Sequence, residues 1–359
     1  MKIGIVCYPT YGGSGVLATE LGKYLAKSGC EVHFITYSQP VRLDILERNI
    51  YYHEVNVQDY PLFQYQPYEL ALSSRMVDVV LKHKLDVLHV HYAIPHAYAA
   101  VTAQQILMEK GVKIPIITTL HGTDITLVGR NPSYKEAVTF SINRSDAVTS
   151  VSESLKQDTL DIFEVKKEIE VIHNFVDLAL YHEDNECRKN MAEEGQKIVS
   201  HISNFRPVKC IQDVISVFYE IQKEVGAILL MIGEGPEKEK SREQARELGI
   251  LSRVKYLGKT SEIERVLCMS DLFLLPSEKE SFGLSALEAM AAGVPVISSN
   301  TGGLPEVNFD GNTGFTAEVG DVITMAKRGI EILQDEAKHA RFKQNAKTQA
   351  ALFSIENIG

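Results

Sequence analysis

The segment DLFLLPSEKESFGLSALEAMAAGVPVISSN, residues 271–300, sets two short apolar runs on either side of a polar loop and a helical stretch. An uninterrupted run such as DLFLLP (271–276) reads as a strand buried on both faces, and VPVISSN (294–300) reads the same way. A strand, a helix and a second strand make the unit of a parallel α/β sheet. The loop SEKES follows the carboxyl end of the first strand, where open α/β sheets bind ligands. Glu280 and Glu288 stand eight residues apart around a helix start expected near Phe282–Gly283. Free N–H groups face out at such a start. The apolar company of Leu284, Leu287 and Met290 argues against two merely solvated glutamates.

The same alternation runs through the chain. KIGIVCY (2–8), EVHFITY (31–37), VLHVHY (87–92), IPIITTLH (114–121), AVTSVS (147–152) and IEVIHN (169–174) read as strands. GVLATELGKYLAKSG (15–29) has helical spacing and a stop at Gly29. KIVSHISN (197–204), GAILLMIG (226–233) and RVKYLGK (253–259) continue the style toward 271. About seven strands and then about five predict two doubly wound, Rossmann-like α/β domains facing a central cleft. The polar stretch 177–196 marks the seam. Residues 1–180 form the expected first domain, 181–345 the second, and 346–359 a C-terminal segment.

Composition agrees. A chain of 359 residues suits two domains, and 45% hydrophobic with 23% charged residues is a globular balance. The formal net charge of −10 argues against nucleic acid as the main partner. No apolar run is long enough for a membrane span, and MKIGIVCYP reads as a first strand rather than a leader. Cys7, Cys30, Cys187, Cys210 and Cys268 are scattered, which disfavours a disulfide framework or zinc ribbon and fits a reducing cytoplasm.

Each unusual motif follows a strand. YPTYGGSGVLATEL places Gly12, Gly13 and Gly15 before a helix N-terminus, which suits a phosphate or a plain tight turn. It does not match G-x-G-x-x-G, and no acid ends the second strand, so NAD is disfavoured. HVHYAIPH holds His89, His91 and His96. Packed or cleft-lining histidines are the simpler reading than a metal pair, and Tyr92 sits where it can meet a ligand. In TTLHGTDITL, His121 ends a strand, placed to bond a sugar hydroxyl or share in proton transfer. HISNFRPVKC sets Arg206 and Lys209 in a loop, as a fork and a point charge for a diphosphate, or as solvated surface cations. NTGGLPEV (300–307) is a further turn after a strand. Neither glutamate of 280 and 288 has an acid/base partner nearby in sequence, so hydroxyl binding fits them better than paired-carboxylate hydrolysis.

EKESFGLSALEAMAAGVPVISSNTGGLPEV resembles the E-x7-E region of retaining glycosyltransferases with the two-domain GT-B fold. The resemblance covers essentially the whole chain. HVHYAIPHA and TLHGTDITLVG together narrow it to the malate-glycosylating enzymes of bacillithiol biosynthesis. It implies UDP-N-acetylglucosamine (UDP-GlcNAc) as donor and L-malate as acceptor. It places Glu280 on donor sugar hydroxyls, Glu288 on the ribose, and the backbone of Phe282, Gly283 and Leu284 along the donor. It places Arg206, Lys209 and Gly13 on the diphosphate, His121 on the donor sugar, and Ser14, Tyr92, Thr119 and Thr123 at the malate site. His121, Glu280, Lys209 and Arg206 are then the catalytic set. Retention without an enzymic nucleophile implies a front-face mechanism. Two cations and no Asp-x-Asp pair imply that neither metal nor other cofactor is needed. It also implies that residues 346–359 begin a helix crossing back to the first domain.

Three departures stand out. Asn204 occupies the position of the usual Arg, with Arg206 shifted from it. His173 replaces a common Pro. The chain stops at ALFSIENIG (351–359). Competing readings on the same fold are another acceptor, a UDP-GlcNAc epimerase, or a non-catalytic sugar-nucleotide sensor. An epimerase needs acids near the sugar C2, which are missing; a sensor has no need of an intact LHGTD. Arg75, Arg130 and Arg144 are all candidates for the malate carboxylates, and nothing in the spacing separates a monomer from a homodimer.

Overall fold

Each described strand pairs in parallel with its sheet neighbours, in keeping with the unbroken apolar runs of the central strands. The computed structural model describes residues 1–10, 12–58, 61–181, 188, 190–260 and 262–359. They divide into two units, Met1–His173 (with Gly359) and Asn174–Ile358. Part of the expected seam, residues 182–187 and 189, and with it Cys187, lies outside the described residues.

The first unit is a seven-stranded sheet: β1 Lys2–Val6, β2 Glu31–Thr36, β3 Ile50–Glu54, β4 Val87–His91, β5 Ile116–Leu120, β6 Ala147–Ser150 and β7 Ile169–Val171. Their order is β3-β2-β1-β4-β5-β6-β7, so the winding reverses between β1 and β4. Helix α1 (Gly13–Lys27) follows β1, and α2 (Tyr68–His83) precedes β4. One core packs Ile5, Cys7 and Phe34 with Ala18 of α1, and another packs Ile35, Leu88 and Val90 with Leu72 and Met76 of α2.

The second unit is a six-stranded sheet: β8 Lys197–Ile202, β9 Ala227–Ile232, β10 Val254–Gly258, β11 Leu272–Leu275, β12 Val296–Ser299 and β13 Gly314–Ala317. The order β10-β9-β8-β11-β12-β13 reverses between β8 and β11. All six residues of β9, AILLMI, are buried. Burying each large aliphatic contributes about 1.5–3 kcal/mol against exposure. The helix Ile211–Glu224 buries Ile211, Val214, Ile215, Phe218 and Ile221, an apolar stripe at helical spacing that covers β8, β9 and β11.

Strands β3 and β13 were absent from the sequence reading. Both are sheet edges. IYYHE is buried only at Ile50, and GFTA only at its two ends, so neither shows the buried apolar run of a central strand. Residues 346–358 belong to the second unit, as the end of the helix Glu336–Leu352 and the short helix Ile355–Ile358. Phe353 there packs edge-on against Phe282 at 5.8 Å between ring centres.

Candidate active site

In each unit the predicted residues gather at the point where strand order reverses, where open sheets leave a crevice at their carboxyl ends.

In the first unit the loop after β1 leads into α1. No side chain caps that helix among the described residues, and Gly13, exposed, opens it. Gly15 is required there: a Cβ on it would lie 2.3 Å from the carbonyl oxygen of Tyr8 and 2.8 Å from that of Thr10. The helix can therefore press against its own loop only with glycine at this position. Ser14 Oγ and Tyr92 Oη are 2.6 Å apart, joining the loop after β1 to the residue after β4. Tyr92 holds φ of 84°, an uncommon backbone for a tyrosine that turns its side chain toward Ser14. Its N–H donates to the carbonyl of Thr119 at 2.9 Å.

A row of imidazoles lines the same strand ends. His89 and His91 stack at 4.6 Å between centroids, His91 and His121 at 5.0 Å, and the Tyr92 ring lies 5.1 Å from His121. His91 Nδ1 and His121 Nε2 share a hydrogen bond of 2.8 Å. Burial pushes His89 and His96 down to about 4 and His121 to about 3, and His91 well below the usual histidine range. All are neutral at physiological pH and serve as hydrogen-bonding groups rather than cations. Among the described residues, Nε2 of His91 and of His96 is buried without a partner.

Thr119 Oγ1 lies 2.8 Å from both His89 Nε2 and Thr149 Oγ1, so this hydroxyl is held inside the sheet network. Thr123 is exposed at the start of the turn Thr123–Leu127. Ser14, Tyr92 and His121 are thus brought together; Thr119 supports them through strand pairing, and Thr123 stands at the rim.

Asp124 is a residue that the spacing of TTLHGTDITL does not single out. It is 2% exposed, and its carboxylate accepts from the N–H groups of Ala93 at 2.8 Å, Gly122 at 3.0 Å and His121 at 3.3 Å. Burial raises its pKa to about 6 against the pull of those bonds. One side chain therefore ties the turn after β4 to the turn after β5. The only sequence signal was an acid two residues past the glycine of LHGTD.

In the second unit the loop after β8 carries Arg206 and Lys209, and the loop after β11 carries Glu280. Lys209 Nζ lies 2.5 Å from Glu280 Oε1, which also accepts from Ser277 Oγ at 3.0 Å. The two loops are further joined by the Glu278 N–H, which donates to the Val208 carbonyl at 2.9 Å. Both partners of the ion pair are largely buried, with side-chain exposures of 21% and 11%. Arg206 is exposed and its guanidinium makes no ion pair among the described residues. Lys209 therefore meets Glu280 in the folded second unit, while Arg206 stands exposed three residues before it in the same loop.

The helix after Glu280 starts at Leu284, one residue past the expected start, with Gly283 as its cap at φ of 96°. A Cβ on Gly283 would meet Leu304 Cδ2 at 2.5 Å, so the NTGGLPEV turn packs directly on this cap. The Gly303 N–H donates to the Glu280 carbonyl at 3.0 Å. Phe282 is 2% exposed and anchors the loop from beneath, so only its backbone is available to a ligand. Glu288 lies half-buried in the second turn of the helix. His201 bonds the Leu274 carbonyl and Ser203 Oγ at 2.9 and 2.8 Å, holding the ends of β8 and β11 together.

The family model for Glycosyltransferase Family 4 matches residues 11–180, and that for Glycosyl transferases group 1 matches residues 183–349. The N-acetyl-alpha-D-glucosaminyl L-malate synthase of Bacillus anthracis is 49% identical over 97% of this chain and 91% of its own length. The chain belongs to the GT-B glycosyltransferases. An uncharacterised glycosyltransferase of Methanocaldococcus jannaschii is 25% identical to this glycosyltransferase over 98% of the chain and 93% of its own length. The structure of Anabaena HepE in complex with UDP-glucose shares its fold, with a TM-score of 0.84 at 22% identity over 100% of this chain and 97% of that one. No helix among the described residues of the glycosyltransferase is long and apolar enough to cross a membrane.

Proposed function

We propose that this glycosyltransferase moves N-acetylglucosamine from UDP-GlcNAc to the hydroxyl of L-malate with retention at the anomeric carbon. The observation that carries the reading is the 49% identity, across both units, to the relative of that name. The second unit holds the donor. Glu288 takes the ribose hydroxyls, the backbone from Phe282 to Leu284 lies along the sugar, and Glu280 accepts from sugar hydroxyls while keeping Lys209 in place. The first unit holds the acceptor through Ser14 and Tyr92, with the helix end at Gly13 offering its N–H groups and His121 giving its other ring nitrogen to a substrate hydroxyl.

In the reaction the bond from the anomeric carbon to the β-phosphate oxygen breaks as the bond to the malate hydroxyl forms on the same face. The hydroxyl proton passes to the departing phosphate, with no carboxylate nucleophile of the enzyme taking part in this reading. Lys209 and Arg206 stabilise the charge that develops on the diphosphate, and the protein's contribution is position and preorganised charge. Two cations in that role make a bridging divalent ion unnecessary, and EDTA in the assay is expected to leave the rate unchanged.

The test is incubation with UDP-GlcNAc, with and without L-malate, reading UDP release and product mass. Malate-dependent UDP release with a product of N-acetylglucosamine plus malate is expected. Equal UDP release without malate overturns the reading. A 2-epimerised sugar nucleotide instead supports an epimerase.

A further inference from the structure

His33 in β2, His53 in β3 and His83, the last residue of α2, converge where none of them serves the reaction above. Each offers a ring nitrogen within 4.8 Å of the other two. His33 Nδ1 and His53 Nε2 are already 2.8 Å apart, and the two rings stack with an interplanar angle of 7°. The His83 ring centre lies 4.6 Å from that of His33 and 5.0 Å from that of His53. Tetrahedral zinc with Zn–N bonds of about 2.0–2.1 Å sets its nitrogens about 3.4 Å apart, within small side-chain rotations of this arrangement.

The protonation pattern suits a cation as well. Glu31 Oε1 lies 3.0 Å from His33 Nε2, and Lys2 holds the same oxygen at 2.9 Å. An ionised carboxylate only accepts, so His33 carries its proton on Nε2 and turns the lone pair of Nδ1 into the cluster. A carboxylate behind a histidine in this way is the usual outer support of a metal ligand. Burial holds all three imidazoles below the usual histidine range, helped by Lys82 and Arg75 beside His53 and His83, and by Lys2 beside His33 and His83. The three rings are therefore neutral ligands. The same cations oppose a divalent ion, and Glu31 supplies the offsetting charge. His33 is buried while His53 and His83 are half-buried, which leaves an entry path on their side.

We propose that His33, His53 and His83 bind one divalent late first-row metal ion, tying β2 and the edge strand β3 to the end of α2. On binding, His53 moves its proton from Nε2 to Nδ1, so no net proton is released, and water completes the coordination. The site is structural and stands apart from the transfer chemistry.

Zinc is the probe. Untagged protein, stripped with chelator and dialysed, is titrated with Zn²⁺ by calorimetry, and with Co²⁺ by visible spectroscopy. One equivalent of each is expected, with the intense visible bands of tetrahedral cobalt. Zinc should raise the melting temperature of the parent protein, but bind neither His53→Gln nor His83→Gln and leave their melting temperatures unmoved. Glu31→Gln should bind about 10–100-fold more weakly. His121→Gln should bind as the parent does. Circular dichroism without metal identifies the folded variants, and His83→Gln, at a helix end, carries the test if His53→Gln does not fold. No saturable binding, binding that survives in the folded cluster variants, or binding lost in His121→Gln overturns the proposal.

Discussion

At the residue scale the pair of Lys209 and Glu280 is the feature that sequence spacing concealed. They are 71 residues apart and meet at 2.5 Å. A largely buried ion pair contributes little net stability, because desolvation offsets most of its attraction. Its value here is position: Ser277 and Lys209 converge on one oxygen of Glu280. Lys209→Ala is expected to lower kcat by about 10²-fold or more in the UDP-release assay, as loss of one preorganised charge contact does. Unchanged turnover removes Lys209 from the leaving group. Glu288→Ala should instead raise the KM for the donor about tenfold or more, since hydrogen bonds to a charged group contribute about 1.5–3 kcal/mol. A fall in kcat at unchanged KM contradicts the ribose role. The placement of Glu280 and Glu288 on either side of a helix start was readable from their spacing. The lysine that meets Glu280 was not, because only the adjacency of β8 and β11 brings it there.

At the element scale, strand–loop–helix punctuation was readable wherever a strand was central. Two of the four edge strands, β3 and β13, escaped, and so did the cross-linking of loops. Asp124 joins the turns after β4 and β5 through three backbone N–H groups. Asp124→Ala leaves those donors without their acceptor, at about 1–3 kcal/mol for each that stays buried. A melting temperature lower by several degrees and a raised KM for malate are expected. A variant as stable as the parent shows that water replaces the carboxylate. Gly15→Ala belongs to the same scale: its Cβ meets backbone oxygens, which no side-chain rotation relieves. It should cost more than the roughly 1 kcal/mol that alanine ordinarily gains over glycine inside a helix, so destabilisation is expected despite better propensity. Calorimetry decides the sign.

At the scale of the whole molecule the histidines set the response to acid. His89 and His96 titrate near 4 and His121 near 3, against an ordinary 6.5. The unfolded chain therefore binds protons that the folded chain refuses, and the stability these groups confer is full above 6.5 and lost as pH falls toward 4. Asp124 acts in the opposite sense: raised to about 6 from 3.8, it favours the folded state at low pH and loses that contribution as pH rises through about 6. The depressed histidines outnumber it, so acidification is expected to destabilise the first unit. Of the groups in the second unit, His201 shares the depression, to about 4. Melting temperatures followed between pH 7 and pH 4 should fall, with the first unit unfolding ahead of the second. A flat profile contradicts the burial of the imidazoles.

Periodicity and punctuation in the chain were enough for two parallel α/β sheets and for the loops that follow their strands, because buried strands and helix starts leave their signature within a few residues. The placement of Glu280, Glu288, Ser14 and His121 beside a strand end or helix start was legible for that reason. Partnership was not legible. The bonds of Lys209 to Glu280, Ser14 to Tyr92 and His91 to His121, and the gathering of His33, His53 and His83, depend on strand order and register. Parallel sheets pair strands distant in sequence, so the chemistry of these side chains is set by neighbours that only the folded sheets supply.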